Sequence, residues 1–380
     1  MLNLLVLLSA LLSPLLGALV AAHAQTDLTK FHTFRNRLWN EHGLVGPKYS
    51  LKESADWGFG YFNATSAVGG PTEIRSFVLF TIASPATTPK VLPALLSSLF
   101  SLGGQPSAQQ TNPFGKWTML TEHLIVGTTN SEAQAACLDR ALQGKYLHKC
   151  YDLDHEYNLE LQDVATLSKS KLHAHTVAVS RIKALVDIVS LGYDVLYFDP
   201  HHIFFQNPLQ YLYTYTRAHL VVSPTPASKC KKLVIPPGGQ LPEDHHKLDL
   251  IFMRSGSGTF RCLYNWIYHV TRNDASVDDR PLDHFTFRRV MQECMNALGP
   301  ELLAVEYLDP TAFPADCHTQ CGCANDAPAA ALPNGDCSRE VMDKWVGFLF
   351  SCAGNSTNLF QSMSRYASMY TNATGKPAGL

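Results

Sequence analysis

The segment that most constrains the fold of this chain is residues 192–209. Its apolar part, residues 195–198, has the length of one strand and ends at Asp199, and the proline that follows prevents a regular strand or helix from continuing. An apolar pattern at helical spacing precedes it, with Ser180 as the expected N-cap and Gly192 as the expected end of the helix. The segment therefore predicts a helix, a tight turn, a strand and an Asp-x-His loop. In an α/β sheet, ligands bind at the carboxyl ends of the strands, where Asp199 would lie.

Apolar runs of strand length alternate with helical patterns along the rest of the chain. The patterns predict strands at residues 76–83, 117–126, 220–222 and 248–253, and helices near residues 91–99, 131–142, 259–272 and 282–297. A further strand and helix are expected between residues 176 and 191, and the tail from residue 309 is expected to be rich in loops. Strands that alternate with helices in this way favour right-handed βαβ units and a mostly parallel sheet flanked by helices.

Composition narrows the class of protein. With 380 residues, of which 46% are hydrophobic, the chain can bury one large core or two smaller ones, and nothing in it suggests disorder. The formal net charge of -2 gives no global field that would attract a nucleic acid or an acidic membrane surface. Nucleic-acid partners are therefore not expected.

The amino terminus carries a targeting segment. Residues 2–22 are almost wholly apolar, and Ala22-His23-Ala24 has the small-x-small form that signal peptidase accepts. The apolar run is also about as long as the roughly 20 residues that a membrane helix needs, so a retained signal anchor is the alternative. We expect the chain to enter the secretory pathway, as a protein of the Golgi lumen or a secreted one, with any contact to a membrane confined to this anchor.

The expected organisation has four parts. Residues 1–24 form the signal peptide or anchor, residues 25–72 a stem or N-terminal extension, residues 73–360 the main domain with a cysteine-rich C-terminal part, and residues 361–380 a tail. Three glycosylation acceptors begin at Asn63, Asn355 and Asn372, in agreement with a lumenal compartment.

The chain has ten cysteines, an even number, which in an oxidising compartment predicts mostly disulfides. A zinc site around Cys317, Cys321 and Cys323 is the competing hypothesis, but their spacing is not that of a standard zinc finger. Disulfides are therefore the preferred interpretation.

Asp199 and His201 are the first candidates for chemistry. An acid at the end of a strand, followed two residues later by a second ligand, can hold a divalent cation against a diphosphate, whose leaving group gains charge during transfer. A capped turn is the competing structural interpretation of the same three residues.

Three other polar segments are expected to have no role in chemistry. Asp152 and Asp154 form a literal Asp-x-Asp, but no apolar strand precedes them and we expect a solvated loop. His245 and His246 are expected at the surface rather than as ligands. The lysines at 229, 231 and 232 are expected on a solvated loop face.

A family resemblance adds to this interpretation. Lys183 and residues 192–209, with the sequence GYDVLYFDPHHIFFQNPL, resemble without gaps the signature of the plant-type nucleotide-diphospho-sugar transferases. That family includes the rhamnogalacturonan xylosyltransferases and extensin arabinosyltransferases, and its pattern is a Lys, a helix, Gly-Tyr, an apolar strand, Asp-x-Asp and a closing Asn/Asp-Pro. Looser similarity in the same order extends the resemblance over roughly residues 75–360, with family-like segments at 77–83, 124–137, 249–254, 283–284, 308–310 and 313–314.

The resemblance implies a Rossmann-like type A glycosyltransferase fold and a metal-assisted, configuration-retaining transfer of a sugar from a nucleotide diphosphate. UDP is the expected nucleotide, and a glycan or glycoprotein is the expected acceptor. Asp199 would contact the ribose or the metal, and His201 would help to bind Mn²⁺ or Mg²⁺. Lys183 would face the nucleotide or its phosphates. Asp283 would be the catalytic residue, near the donor sugar or the acceptor.

Two differences from the family pattern leave alternatives open. His201 stands where the family has a second metal-binding Asp, and Cys352 lies in the segment where the family has a His-x-Asn. Imidazole is a sound ligand for ions such as Mn²⁺, so an active enzyme is the leading hypothesis. The alternatives are a lumenal protein on the same fold that binds nucleotide sugars or glycans with weak or no catalysis, and a secreted metal-dependent hydrolase.

Overall fold

The fold is built on one large sheet, seen in a computed structural model. The structure describes residues 60–64, 73–103, 119–153, 169–224, 230–236, 238–243, 246–272, 281–296, 302–315, 337–350, 356–376 and 378. These residues all belong to one compact unit, Val45–Leu380. The predicted signal segment at residues 1–24 and most of the predicted stem at residues 25–72 lie outside the described residues.

Eight strands form the main sheet. They are β1 (Gly60–Ala64), β2 (Glu73–Ala83), β3 (Leu124–Thr128), β4 (Lys149–Asp152), β5 (Asp194–Phe198), β7 (Leu220–Val222), β8 (Leu250–Met253) and β9 (Val305–Tyr307). The order across the sheet is β4-β3-β2-β5-β8-β7-β9, and β1 pairs antiparallel with the first half of β2. Apart from β1, only β8 among these strands runs against its neighbours. The prediction of a mostly parallel α/β sheet is therefore confirmed.

Nine helices surround the strands in the part of the chain that the structure describes. They are α1 (Val91–Gly103), α2 (Ser131–Cys137), α3 (Arg140–Tyr146), α4 (Lys169–Ser190), α5 (Pro208–Tyr215), α6 (Ser257–Arg272), α7 (Leu282–Met295), α8 (Arg339–Met342) and α9 (Ser356–Thr374). Side-chain caps begin three of them, because Asn130, Asp139 and Asn207 each accept hydrogen bonds from backbone N–H groups of the first turn. Gly192, with φ near +90°, lies in the turn after α4, as the sequence predicts.

Several predicted elements differ from the structure. The expected strand at residues 117–126 is a 3₁₀ turn followed by β3, and the single helix expected near residues 131–142 is divided into α2 and α3 by the cap at Asp139. No strand lies within residues 176–191, because α4 is one helix of 22 residues, and Ser180 is therefore in its interior rather than at its N-cap. Strand β4 was not predicted, because a segment of four residues is too short to show an alternating pattern.

Asp194 ties three elements of the sheet together at the start of β5. Its buried carboxylate accepts hydrogen bonds from the guanidinium of Arg75, from the hydroxyl of Tyr213 and from the backbone N–H of Ser255. A buried carboxylate is stable only when paired and hydrogen-bonded in this way. The acid at this end of β5 is therefore structural, whereas Asp199 at the other end remains available for chemistry.

A second small sheet and the last helix extend the core. Strands β6 (His202–Phe204) and β10 (Gly347–Leu349) pair antiparallel, and α9 packs beside them. Buried side chains from these elements and from α1 form one hydrophobic cluster that includes Phe205, Trp345, Phe348, Met363 and Tyr370. The expectation of a loop-rich tail after residue 309 is therefore wrong for α9, whose residues fall largely in the segment 361–380.

The cysteines that the structure describes form disulfides, as the sequence predicts for most of the ten. Cys137 is bonded to Cys150, and Cys262 is bonded to Cys294, and no described cysteine is free. The cysteines of the competing zinc hypothesis, at 317, 321 and 323, lie outside the described residues.

Among the helices that the structure describes, none has the length and apolar character needed to cross a membrane.

Candidate active site

The candidate site lies at the carboxyl edge of the parallel strands. Asp199 follows β5 directly, and α4, which runs back to the start of that strand, passes beside it. Along α4 the buried positions Ala178, Leu185 and Ile188 form one stripe, and Arg181 occupies the same stripe. The helix therefore places a guanidinium among apolar side chains, next to the end of β5.

Arg181 is the centre of the site. Its Nη2 donates to the carboxylate of Asp283, and its Nη1 donates to the carbonyl oxygen of Leu248 at 3.1 Å and lies 3.8 Å from Oδ1 of Asp199. The guanidinium also lies over the ring of Tyr197, 5.1 Å from its centroid. Burial alone would lower the pKa of Arg181, but the carboxylates of Asp283 and Asp199 more than offset it, and the pKa lies above the ordinary range.

Asp199 combines partial exposure with a dense set of partners. Its side chain is 25% exposed and accepts a hydrogen bond from the hydroxyl of Tyr197, the residue two before it on the same face of β5. Its carboxyl group is also hydrogen-bonded to that of Asp249. Burial raises the pKa of Asp199, against the opposing effect of Arg181, and burial together with Asp199 raises the pKa of Asp249 to about 6.

The loop that carries Asp199 and His201 is held from both sides. The ring of His202, buried behind the loop, is hydrogen-bonded through Nδ1 to the carbonyl oxygen of Asp199 at 3.0 Å. The backbone N–H of Phe350, directly after β10, donates to the carbonyl oxygen of His201 at 2.9 Å. Two backbone carbonyls of the Asp-Pro-His loop thus have fixed partners, so the loop is constrained before any ligand binds.

Lys183 lies elsewhere on α4. It follows Arg181 by two residues, which is about 200° around the helix, and it is half-buried. Burial lowers the pKa of Lys183 to about 8, and the charge of Asp187, one turn further along, opposes that shift. The cation that contacts Asp199 is thus Arg181, and Lys183 belongs to a different side of the helix.

Asp283 is more deeply buried than the sequence suggested. It is fully inaccessible, in the first turn of α7, and accepts hydrogen bonds from Arg181 and from the backbone N–H of His284. Burial would raise its pKa, but Arg181 lowers it below the ordinary value, so the carboxylate is charged. Its direct contacts are within the protein, and it connects Arg181 to the start of α7.

Two structural interpretations made from the sequence are wrong. Asp152, expected in a solvated loop, is buried at the end of β4. His246, expected at the surface, is buried, with its Nδ1 hydrogen-bonded to the hydroxyl of Tyr307 at 2.9 Å.

Lys232, expected on a solvated face, forms an ion pair with Glu306. Asp154, His245 and Lys229 lie outside the described residues.

Arg181 and Asp249 are the site residues that the sequence analysis did not identify. Arg181 could have been found as the one charge on the apolar stripe of α4. Asp249 precedes the buried strand β8, and because β8 is antiparallel to β5, the start of β8 meets the end of β5. The backbone N–H of Asp199 donates to the carbonyl oxygen of Asp249 at 2.7 Å, a contact that sequence alone could not reveal.

The donor set suits a hard divalent cation. A carboxylate and an imidazole, from Asp199 and His201, are ligands that Mn²⁺ accepts, and the contact between the carboxyls of Asp199 and Asp249 concentrates negative charge beside them. In the part of the chain that the structure describes, the one group of three potential ligands within reach of one another is Cys137, His148 and Cys150. Its two sulfurs are joined in a disulfide, so that group is not a metal centre.

Comparison with protein families assigns the chain. The model of the family described as nucleotide-diphospho-sugar transferase matches residues 119–344, a span that contains β3 to β9 and the whole Arg181 cluster. The match covers more than half of the chain, so the protein belongs to the nucleotide-diphospho-sugar transferase family and is a glycosyltransferase by class. The family and the sheet together confirm the expected Rossmann-like type A glycosyltransferase fold. A search among curated proteins found no match.

Solved structures with a similar fold are distant in sequence. Mouse xyloside xylosyltransferase 1, in its apo form, is 14% identical, and the alignment covers 73% of this chain and 98% of that one, with a TM-score of 0.40. The galactosyltransferase LgtC, in complex with donor and acceptor sugar analogs, is 9% identical over 79% of this chain and 98% of that one, with a TM-score of 0.41. Residues 1–349 of TarS from S. aureus are 13% identical over 78% and 66%, with a TM-score of 0.37. At these values the similarities say nothing about the substrate.

Proposed function

We propose that this protein transfers a sugar from a UDP-linked donor to a glycan or glycoprotein in the secretory pathway. The observation that carries the proposal is the cluster of Arg181, Asp199 and Asp283 at the carboxyl edge of the sheet. There a partly exposed acid is held in place by a buried guanidinium, in a member of a nucleotide-sugar transferase family. The resemblance of residues 183–209 to the plant-type transferases supports the same donor chemistry and a retaining outcome.

A second feature of the sheet edge supports a bound nucleotide. The hydroxyl of Thr129, just after β3, is buried and has no hydrogen-bond partner in the part of the chain that the structure describes. Buried polar atoms in folded proteins are nearly always satisfied, so an unsatisfied one at a ligand-binding edge favours a missing ligand. A ribose or base that entered between β2 and β3 would supply that partner.

Each candidate residue has a proposed role. Asp199 and His201 would hold Mn²⁺ or Mg²⁺, which when bound would offset the charge that develops on the leaving diphosphate. Arg181 orients Asp199 and opposes the rise in its pKa that burial causes. Lys183 lies on a different side of α4 from Arg181, so its proposed role at the phosphates rests on the family resemblance alone. Asp283, which the resemblance implies as the catalytic residue, would be a positioning residue, because its contacts fix Arg181 and the first turn of α7.

Binding without efficient transfer is the second candidate function. It is motivated by His201 in place of an acid and by Cys352 in place of a histidine, which together reduce the number of family-type metal ligands. A lumenal protein of this kind would bind UDP or a nucleotide sugar and release little product.

Calorimetric titration with UDP, with and without Mn²⁺, tests the proposal, followed by UDP release from a panel of UDP-sugars. The wild-type protein should bind UDP more tightly when Mn²⁺ is present. Asp199→Asn keeps an acceptor for the hydroxyl of Tyr197 but removes the charge, so it should lower the Mn²⁺-dependent affinity for UDP at least about tenfold, the size of a lost charge-assisted contact.

Glu132→Gln makes the same chemical change at an exposed position in the first turn of α2 and should leave the affinity unchanged. UDP binding that does not depend on Mn²⁺ or on Asp199 would contradict the assignment of the metal site. Metal-dependent binding without UDP release would favour the second candidate function.

The compartment is proposed from the sequence alone. The apolar residues 2–22, the small-x-small site before Gln25 and the exposed position of Asn372 on α9 support entry into the secretory pathway. N-terminal sequencing of the protein recovered from medium and from detergent extracts would decide between a cleaved signal and an anchor. A mature chain found in the cytosol with Met1 intact would contradict the proposal.

A further inference from the structure

A groove of about 860 Å³ runs along one side of α7, beyond the Arg181 cluster. One wall is α7 itself, from His284 in its first turn to Asn296 just after its last, and the other is formed by Gln240, Glu243 and His246. Twelve rises of an α-helix span roughly 18 Å, so the groove is long enough for a chain of a few sugars. Its volume lies in the range of ordinary ligand sites.

The charges that line the groove are paired. The guanidinium of Arg288 lies 3.3 Å from the carboxylate of Glu243, and that of Arg289 lies 3.1 Å from the carboxylate of Glu293.

The remaining polar lining is amide and imidazole, with Gln240 and Asn296 exposed at its surface. The amide of Gln292 is engaged with the loop, because its Oε1 accepts from the backbone N–H of Leu241 at 2.8 Å and its Nε2 donates to the carbonyl oxygen of Gly239 at 3.2 Å. A surface of planar groups without net charge offers donors and acceptors to hydroxyls but no excess charge to an anion. This composition favours a neutral saccharide over an acidic one.

His284 connects the groove to the transfer site. It lines the groove, its backbone N–H donates to Asp283, and its ring lies in the field of Asp249, whose carboxyl group is hydrogen-bonded to Asp199. An acceptor bound in the groove would therefore have one end next to the residues proposed to hold the donor. His284 is therefore positioned to accept the proton of the hydroxyl at that end of the acceptor.

The tautomer of His284 is fixed by its partner. Its Nδ1 lies 2.9 Å from the carbonyl oxygen of His246, and because a carbonyl can only accept, Nδ1 carries the hydrogen. In the neutral ring Nε2 then has a free lone pair. Among the described residues no other hydrogen bond is made by this ring. The ring of His246 is itself hydrogen-bonded to the hydroxyl of Tyr307 at 2.9 Å. The residue that fixes the tautomer of His284 is therefore held in place.

We infer that the groove binds a neutral saccharide acceptor and that Nε2 of His284 takes the proton from its reacting hydroxyl. The inference rests on the proposed function. The bond from C1 of the donor sugar to the diphosphate oxygen breaks ahead of attack, and the acceptor oxygen forms its bond to the oxocarbenium-like C1 from the same face, so that the configuration is retained. The diphosphate leaves with the electron pair, and the hydroxyl proton passes to His284.

The surroundings of His284 agree with a base that is neutral at rest. Burial lowers its pKa, which Asp283 and Asp249 oppose and Arg181 reinforces. Glu243 and Arg288, from the loop and from the next turn of α7, face each other across the groove and largely cancel. A neutral imidazole near the reacting hydroxyl is the form that general base catalysis requires.

Three variants test the inference, with UDP-sugars as donors and methyl glycosides and neutral and acidic oligosaccharides as acceptors. His284→Gln keeps an N–H for the carbonyl of His246 but removes the base. Its kcat for transfer should fall about 10²- to 10⁴-fold, and the low-pH limb of the wild-type pH profile should disappear. Its Mn²⁺-dependent affinity for UDP should remain that of the wild type. Asn296→Ala, at the far end of the groove, should raise the acceptor KM several-fold and leave kcat unchanged.

His219→Gln is the matched control, since it makes the same change at an exposed histidine at the start of β7, on the opposite edge of the sheet. It should behave as the wild type does. Unaltered kcat and pH profile in His284→Gln would overturn the role of His284, and a preference for acidic acceptors would overturn the nature of the groove.

Failure of the proposed function would give a different result. If the wild-type protein binds no UDP with Mn²⁺, the transferase assignment fails, and the groove is then tested directly by titration with neutral oligosaccharides. Binding that Asn296→Ala weakens would support the groove on its own. Absence of saccharide binding to the wild-type protein would reject it.

Discussion

Arg181 shows how one residue can organise a site. It is 5% exposed, and it joins an acid at the end of β5 to an acid at the start of α7. Burying this pair costs desolvation that the mutual attraction must repay, so the pair does not by itself make the protein more stable than apolar side chains would. The function of the pair is to hold Asp199 in one position and to oppose the rise in its pKa that burial causes.

Replacement of Arg181 in this ion pair should lower the stability of the fold. Arg181→Met leaves Asp283 charged and buried without its partner, and the free energy of unfolding in urea should fall by about 3–5 kcal/mol at pH 7. The double variant Arg181→Met, Asp283→Leu should recover most of that loss, because it removes both charges. Neither variant should bind UDP in a Mn²⁺-dependent manner.

The pH dependence of the same variants gives a second test. In the wild type the pKa of Asp283 is lowered, so its contribution to stability is present at neutral pH and is lost as the pH falls through that lowered value. In Arg181→Met the carboxyl group would take up a proton more easily, so the difference from the wild type should shrink below about pH 4. A difference that stays constant with pH would show that lost packing, not charge, explains the effect.

At the scale of elements, the pairing of β6 with β10 determines where the Asp-Pro-His loop lies. β6 begins directly after the loop, and the strand that holds it, β10, comes from the far end of the chain. The connection explains why a C-terminal segment belongs to a site whose motif is near residue 200. It also means that a change in β10 should affect ligand binding.

Gly347 in β10 offers such a change. A Cβ at this position would lie 3.1 Å from Cδ1 of Phe204 and 3.4 Å from Cδ1 of Phe313, closer than these rings can easily accept. Gly347→Ala should therefore lower the free energy of unfolding by about 1–3 kcal/mol, as overpacking does, and weaken Mn²⁺-dependent UDP binding several-fold. Urea denaturation and calorimetry measure the two effects.

Gly144 provides the matched control for that substitution. It lies in the interior of α3, where an added Cβ has no atom within 4 Å, so Gly144→Ala should stabilise the protein by about 0.5–1 kcal/mol and leave UDP binding unchanged. Destabilisation of Gly347→Ala with normal affinity would separate the β6–β10 pair from the site.

At the scale of the whole molecule, stability should depend on pH through His148, far from the site. The ring is buried between α3 and β4, where burial lowers its pKa from 6.5 to about 4. The native state therefore binds fewer protons than the unfolded state between these pH values. Stability from this group is complete above about pH 6.5 and is lost progressively as the pH falls towards 4.

His148→Gln isolates that contribution. The amide can still donate to the carbonyl of Cys137, which His148 contacts at 3.1 Å, but it does not titrate. The stability of the wild type relative to this variant should decline by about 3 kcal/mol from pH 7 to pH 4, at 1.36 kcal/mol for each unit of pKa shift. Parallel curves of melting temperature against pH for the two proteins would contradict the assignment.

Prediction from sequence worked where the signal was local and periodic. The long apolar patterns of β2, α1, α6 and α7, and the glycine that ends α4, were identified before the structure was known. The short strand β4 and the division between α2 and α3 were not, because four residues show no period and a single aspartate cap interrupts an otherwise continuous helical pattern. Helix α9 was not predicted, since the tail from residue 309 was expected to be rich in loops.

The sequence by itself determined the class of fold and the position of Asp199 at the end of a strand, whereas the compartment stays a prediction from residues 1–24. It could do so because strand length, helical spacing and turn residues act between near neighbours in the chain. Only the tertiary structure decided that Arg181 rather than Lys183 contacts Asp199, that Asp249 and Asp283 lie beside them, and that Asp152 is buried. These contacts join residues 18 to 102 positions apart, and nothing in a local pattern records which of two nearby cations faces the sheet.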